Sequence, residues 1–346
     1  MFKFTDRNGR QYRLRKPVKI ALFVLLLIIL ACIFFGLSYL TPAEETGPSY
    51  GDIKEVSTTD TQQQQGTDYN MKSEPFVVKV FNVGQGNATL IDYGDTEVLI
   101  DGGYYNEKNI ETLLESKHGL SEYVKDGKIE YIISTHSDAD HIGCLATVIE
   151  KYDVGKIIYG DMLGDNESIR YFTEAAKAKN CELIEDYDTV LSLGKNATIT
   201  IYDVCDGDKE NVNNNSVVTL IQYGETYFFT SGDLPAEKEV LLRGKLPQCD
   251  VVIAGHHGSS DSNSLLDELK PTYFVVSCGK AAKEGTKQGN TYGHPHKEVL
   301  EKAIALNADC YGTWKSGNIV FKSDGMSVSC SAKYEDQLTV EDAGAK

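Results

Sequence analysis

Three hydropathy regimes follow one another along the chain. From Ile20 to Leu40 nearly every side chain is apolar (IALFVLLLIILACIFFGLSYL), matching the ~20 residues that a helix needs to cross a bilayer. From Thr41 to Pro75 the pattern reverses, and TPAEETGPSYGDIKEVSTTDTQQQQGTDYNMKSEP holds too few large apolar residues to build a core. From Phe76 onward short apolar runs return. FVVKVFNV, ATLIDY and EVLIDGG predict strands. Segments of helical period at Ile110–His118, His141–Tyr152 and Ser168–Lys179 then alternate with predicted strands KIIYG, TITIYDV, SVVTLIQYG and TYFFTSGD. A second alternation predicts helices at Pro235–Arg243, Ser262–Leu269 and His296–Leu306, with strands DVVIAG and YFVVSCG between them. Two such halves predict an α/β (α+β) domain of two packed sheets with helices outside.

These regimes set the expected boundaries: a basic segment at 1–18, a transmembrane anchor at 19–40, a flexible polar linker at 41–75, a folded domain at 76–330 and a solvated acidic tail at 331–346. Arg7, Arg10, Arg13, Arg15, Lys16 and Lys19 lead into the apolar run, so the positive-inside rule places the N-terminus in the cytoplasm. A cleavable signal peptide competes with this reading. Its apolar region spans only ~7–15 residues, and no small-x-small cleavage site is present. The expectation is a single-pass protein of the cell membrane whose folded domain is extracytoplasmic and held off the bilayer by its linker.

Charge narrows the choice of partners. The net charge is −17, and beyond residue 50 there are 27 Lys and Arg against 48 Asp and Glu. That excludes a broad basic face for nucleic acid but leaves room for a local patch. The eight cysteines form no CxxC pair. Cys249, Cys278, Cys310 and Cys330 fall in or beside strand runs, where a thiol acts as a small hydrophobe, so no disulfide framework is expected. The glycines of VGQGNAT (Val83–Thr89) are read as a tight strand connection. A dinucleotide loop would have to open a helix, and the residues that follow continue as a strand.

Polar clusters stand at the ends of predicted strands. They are Asp101 in LIDGG, the stretch STHSDADHIG containing His136, Asp138, Asp140 and His141, Asp233 in TSGD, and the histidines of IAGHHGS and YGHPH. A single strand-end aspartate usually caps the next helix. Several Asp/His clusters at the ends of separate strands point to a metal centre instead.

With VGQG, HSDADHIG, TSGD, HHGS and YGHPH in this order, the chain resembles the metallo-β-lactamase superfamily. Within it, it is similar to the hydrolase domain of the ComEC competence proteins, from about Phe76 to Ser323. The resemblance implies an αββα sandwich with two divalent ions, Zn²⁺ or Mn²⁺, between the sheets. Asp138 stands where the superfamily usually has a second histidine, and the ComEC branch shares that aspartate. By position, His136 and Asp138 serve one ion, Asp140 and His141 the other, and Asp233 bridges them. Asp101 orients the loop as an outer partner. No histidine lies between His141 and His256, and the region offers Asn215 and Ser216 instead. One site is therefore expected to be weaker and oxygen-rich, which suits Mn²⁺. The superfamily's order favours His294 as the last ligand, with His256 and His257 left for the substrate phosphate or leaving group and His296 beside them. The converse assignment stays open. Asn87 replaces the aspartate usual after GQG.

The resemblance implies a hydrolase that attacks an anionic phosphodiester with a metal-bound hydroxide. Three readings follow. The first is a nuclease acting on DNA, without the multi-helix channel of full ComEC proteins. The second is a phosphodiesterase of a teichoic-acid-type envelope polymer, favoured by the acidic charge. The third is an inactive binding module, against which Asp140, His141 and Asp233 all speak.

Overall fold

Successive side chains on a strand point to opposite faces, and that rule alone divides the hydrophobic residues here into three layers. The computed structural model describes residues 4–5, 11–12, 54–56, 76–160, 166–185, 188–202, 204, 211–280 and 290–344. The chain divides into two units, Met1–Asp52 and Ile53–Lys346. In the first, β1 (Phe4–Thr5) and β2 (Gln11–Tyr12) pair antiparallel. The apolar segment 19–40, expected to be an anchor, lies outside the described residues. Among the described residues no helix is long and apolar enough to cross a membrane.

The second unit holds two sheets. β3 (Lys54–Val56) lies inside the segment expected to be a linker and pairs in parallel with β10 (Thr189–Gly194) at one sheet edge. In the other sheet, β4 (Phe76–Val80), β5 (Thr89–Tyr93) and β6 (Thr96–Ile100) form an antiparallel meander. β7 (Lys128–Ser134), β8 (Asp153–Tyr159) and β9 (Glu182–Ile184) extend it in parallel. From β10 the chain runs antiparallel through β11 (Ala197–Tyr202), β12 (Val218–Tyr223) and β13 (Thr226–Thr230). β14 (Val251–Ile253), β15 (Tyr273–Val276) and β16 (Asp309–Gly312) then add in parallel. Finally β17 (Ile319–Ser323) and β18 (Val328–Cys330) return to flank β4 in the first sheet.

Ile91, Val98 and Ile133 meet Ile221, Phe228 and Val275 between the sheets. Their neighbours Leu90, Leu99 and Ile132 turn outward against Leu145, Val148 and Phe172 of the Leu145–Lys151 and Glu167–Ala178 helices. Leu220, Phe229, Val252 and Phe274 pack on Leu266 and Leu300 of the helices on the far side. The αββα layering expected from the alternation is therefore present. Burial on both faces also explains why the parallel strands read as unbroken apolar runs.

Differences from the sequence reading have local causes. The helix expected over Ser262–Leu269 shrinks to Leu266–Leu269. Asn263 is left-handed (φ 65°), so a right-handed helix cannot continue through it to Ser262. β9 and β10 were not anticipated. β9 is a largely exposed edge strand of three residues, too short for a pattern. The expected acidic tail is packed rather than free. Leu338 is buried in the core of the helical layer, its N–H donates to Cys310 O at 2.7 Å, and Gly344 N–H donates to Pro295 O at 3.0 Å.

One carboxyl pair gives this domain a pH response. Buried Glu97 on β6 donates its N–H to Glu130 Oε2 at 3.0 Å. Burial first, and then the Glu130 charge, push the Glu97 carboxyl up to about 8. A folded-state value above the unfolded one (~4.3) favours folding at acid pH, and that contribution disappears as pH rises through about 8. Glu97→Gln is therefore expected to leave the melting temperature nearly unchanged at acid pH and to raise it in alkali. Thermal denaturation of both proteins in acid and in alkaline buffer checks this.

Candidate metal centre

The carboxyl-end loops of β6, β7, β13, β14 and β15 converge on one rim, and each brings a polar group. Asp101 follows β6 in a left-handed conformation (φ 58°). After β7, Thr135 and His136 lead into the short Ala139–Ile142 helix. Asp138 is its N-cap residue yet makes no capping hydrogen bond, which leaves its carboxylate available. Gly86, in the β4–β5 loop, lets this helix come close: a Cβ there would lie 2.4 Å from Asp140 O. Asn87 N–H donates to that same oxygen at 3.1 Å. This close approach accounts for the second glycine of VGQG. Gly232 is left-handed (φ 56°), with Thr135 and Ser216 where its Cβ would be.

Hydrogen bonds decide which imidazole nitrogen faces inward. His141 Nδ1 lies 2.7 Å from Asp101 Oδ2, and Thr135 Oγ1 donates to the same oxygen at 2.8 Å. That hydroxyl thus accepts from His136 Nδ1 at 3.1 Å. Asp101 Oδ1 takes the Thr135 N–H at 2.8 Å. His257 Nδ1 donates to the Ser277 carbonyl at 2.9 Å. All three rings are therefore anchored through Nδ1 and turn Nε2 to the centre, the arrangement in which a neutral imidazole can ligate a metal.

The inward atoms cluster tightly. His141 Nε2 is 3.1 Å from Asp233 Oδ1, while His257 Nε2 is 3.2 Å from Asp140 Oδ2 and 3.5 Å from Asp233 Oδ2. His136 Nε2 is 4.0 Å from Asp233 Oδ2. Two sets of donor atoms each lie within 4.8 Å of one another: His136, His141 and Asp233, and Asp140, His141 and His257. Nε2 of all three histidines and Oδ1 of Asp233 are buried without a hydrogen-bond partner. Unsatisfied donor atoms at this density are costly unless a cation binds them, so the residues fit a divalent metal.

The electrostatics agree. Burial alone would pull protons off His141, but the Asp233 and Asp101 carboxylates raise its pKa well above the ordinary value. Burial opposes ionisation of Asp140 as well, yet the His257 imidazole 3.2 Å away and the charge of His141 hold it at about 2. Asp233 is held well below the usual range against its burial, chiefly by His141 and His257. The carboxylates demand positive charge here, from protons or from a metal that displaces them.

The remaining expected site residues form a surround. Asp138 is partly exposed, its Oδ2 3.6 Å from His136 Nε2, and it stands outside both donor sets. Buried Ser216 Oγ accepts the Asp233 N–H at 3.2 Å, and beside it Asn215 is fully buried. His256 is the most open of the site imidazoles, with Nε2 3.7 Å from Asp233 Oδ2 and Nδ1 3.4 Å from Asp261 Oδ1. His294 also lies outside the donor sets. Its ring centroid is 5.4 Å from that of His256 and 6.1 Å from that of His257. Burial and then the neighbouring histidines depress its pKa to about 3, so it is neutral at physiological pH. His296 Nδ1 accepts the Ser260 N–H at 2.9 Å. The order of motifs favoured His294 as last ligand, but the donor geometry favours His257. Backbone conformation is the reason: His256 and His257 are both left-handed (φ 48° and 54°), a state costing roughly 1–2 kcal/mol per residue. That turn aims His257 inward.

Thr135 and Ser277 complete the centre and were not singled out from the sequence. Thr135 was adjacent to the motif, whereas Ser277 carried no signal. The centre opens to a cleft of about 1020 Å³ lined by residues including Gln85, Tyr104, Lys108, Asp140, Lys280 and Tyr292.

With layered sheets, strand-end loops and a histidine-aspartate cluster in place, comparison with known proteins shows what the chain is similar to. Residues 81–164 match the metallo-beta-lactamase superfamily, so the superfamily resemblance read from the motifs holds. The resemblance to ComEC-type proteins holds at modest identity. The chain is 26% identical over 277 residues to Recombination protein 2 of Haemophilus influenzae, covering 78% of this chain and 30% of that protein. It is 25% identical over 262 residues to ComE operon protein 3 of Bacillus subtilis, covering 71% of this chain and 33% of that protein. The chain thus spans about a third of the length of these relatives. Among solved structures, the metallo-beta-lactamase fold protein YhfI from Bacillus subtilis is similar with a TM-score of 0.48 and 16% identity, covering 72% of this chain and all of that one.

Proposed function

We propose that the protein is a metal-dependent phosphodiesterase, held at the cell membrane by segment 19–40 with its folded domain outside the cytoplasm. The observation that carries this reading is the set of buried, unpartnered Nε2 and carboxylate atoms of His136, His141, Asp233 and His257, beside a cleft that Asp138 and Asp140 line. His136, His141 and Asp233 would hold one ion, Asp140 and His257 would contact a second, and Asp138 would be the weak outer ligand of the first. Bound divalent ions supply activation of water near neutral pH and neutralisation of phosphate charge.

This chain's own residues do the rest. Asp101 and Thr135 hold the Nδ1 atoms of His141 and His136, so that Nε2 is the atom each ring offers to an ion. Lys108 and Lys280 in the cleft attract an anionic phosphodiester locally, although the chain carries a net charge of −17. His256, open to solvent and braced by Asp261, is placed to protonate the leaving oxygen. Neutral His294, and His296 through its Nε2, offer hydrogen bonds to the substrate.

A relative called a recombination protein directs the first choice of polymer to DNA. The acidic charge favours a second reading, an envelope polymer of the teichoic-acid type, because DNA binding ordinarily recruits Lys and Arg.

The test is hydrolysis of a simple aryl phosphodiester by the full chain, first stripped of metal and then supplied with Mn²⁺ or Zn²⁺. Turnover that depends on metal is expected, with single-stranded DNA and a glycerol-phosphate polymer compared next. A folded protein that neither turns over nor binds either ion would sink the reading and leave a binding module.

A further inference from the structure

The consecutive left-handed histidines 256 and 257 persist only if their surroundings over-determine them. Asn263 supplies that constraint. Its Oδ1 accepts the Gly255 N–H at 2.9 Å, and its Nδ2 donates to Gly255 O and to Ser259 O, both at 2.9 Å. One amide thus grips the chain on both sides of the histidine pair. Asn263 is held in turn, because its N–H donates to Glu239 Oε1 at 3.1 Å and the Ser264 N–H donates to Glu239 Oε2 at 2.6 Å. Glu239 is 1% exposed and Asn263 7%. Gly255, between them, has no room for a Cβ, which would meet Ser231 Oγ at 2.8 Å.

A carboxylate buried this deeply is expensive unless its bonds are needed. Here both of its oxygens are committed to the backbone N–H groups of the segment that carries Asn263. We propose that Asn263, seated by Glu239, is a positioning residue that aims His257 Nε2 at Asp140 and Asp233 and so sets the affinity of the ion that His257 contacts. This rests on reading the histidine-aspartate cluster as a metal centre. Neither residue touches the donor atoms. The effect passes through the turn, as partners of metal ligands commonly act.

The test compares the full chain with Asn263→Gly and Glu239→Gln. Glycine tolerates the left-handed backbone of residue 263, so Asn263→Gly removes the amide grip without adding strain. Glutamine keeps only one acceptor oxygen for the two N–H groups. Titration with Zn²⁺ and with Mn²⁺ is read as affinity and as ions bound per chain, beside the melting temperature without metal. Asn263→Gly is expected to weaken one of two binding events by about 10–100-fold and to leave the other unchanged, with Glu239→Gln intermediate. Wild-type affinity and stoichiometry in either folded variant overturns the assignment. It is also overturned if both variants fail to fold, since the network then serves the fold alone. If the wild-type chain itself binds no ion, the metal-centre reading falls first.

Discussion

Asp233→Asn is expected to empty the centre of metal and to lower phosphodiester turnover by at least ~10³-fold, about 4 kcal/mol of transition-state stabilisation. The reason is geometric. Among the described residues, Asp233 is the one whose carboxylate lies close to four imidazoles: His141 at 3.1 Å, His257 at 3.5 Å, His256 at 3.7 Å and His136 at 4.0 Å. Asparagine has nearly the same shape, so the loop after β13 keeps its packing and the Ser216 bond to the residue 233 N–H. What disappears is the negative charge and one of the two acceptor oxygens, and an NH₂ is turned toward nitrogens that must stay free. Metal content per chain and aryl phosphodiester turnover check the result together. A variant that keeps its metal and loses less than tenfold in rate would show that Asp233 lies beside the chemistry rather than in it.

Asp101→Asn is expected to weaken metal binding by about 10–100-fold without unfolding the metal-free protein. The left-handed backbone at Asp101 (φ 58°) suits asparagine equally well, and the amide oxygen can still take the Thr135 N–H. The NH₂ would replace Oδ2, which now faces Thr135 Oγ1 at 2.8 Å and His141 Nδ1 at 2.7 Å. An NH₂ donates, so His141 Nδ1 would have to accept, and its proton would move to Nε2. That blocks the atom that faces Asp233. Competitive titration against a chelator measures the affinity, and melting without metal shows that the fold is kept. Unchanged affinity would mean that the Asp101–His141 bond does not set the tautomer.

Much of this centre was legible because its residues are local in sequence. His136, Asp138, Asp140 and His141 share one loop directly after an apolar run. A strand of a sandwich that is buried on both faces must deliver such a loop to the rim. Asp101 and Asp233 were legible for the same reason, each standing at the end of a strand. The roles of His257 and His294 were not legible. Motif order says only that both lie on late loops, whereas a choice between them depends on the handedness of two residues. That handedness is held by Asn263, a residue that reads from sequence as part of a helix.

The same division holds for the fold. By itself, the sequence determined the alternation of strands and helices and the two halves of the domain, together with the strand ends that carry chemistry. Each of these follows from local periodicity and from the need to bury apolar faces. Only the tertiary structure decided which Nε2 atoms meet, that Leu338 belongs to the core, and that Glu239 is committed to a loop rather than to solvent. These depend on contacts between residues tens to hundreds of positions apart, where hydrogen-bond geometry and close packing select one arrangement and no pattern along the chain records it.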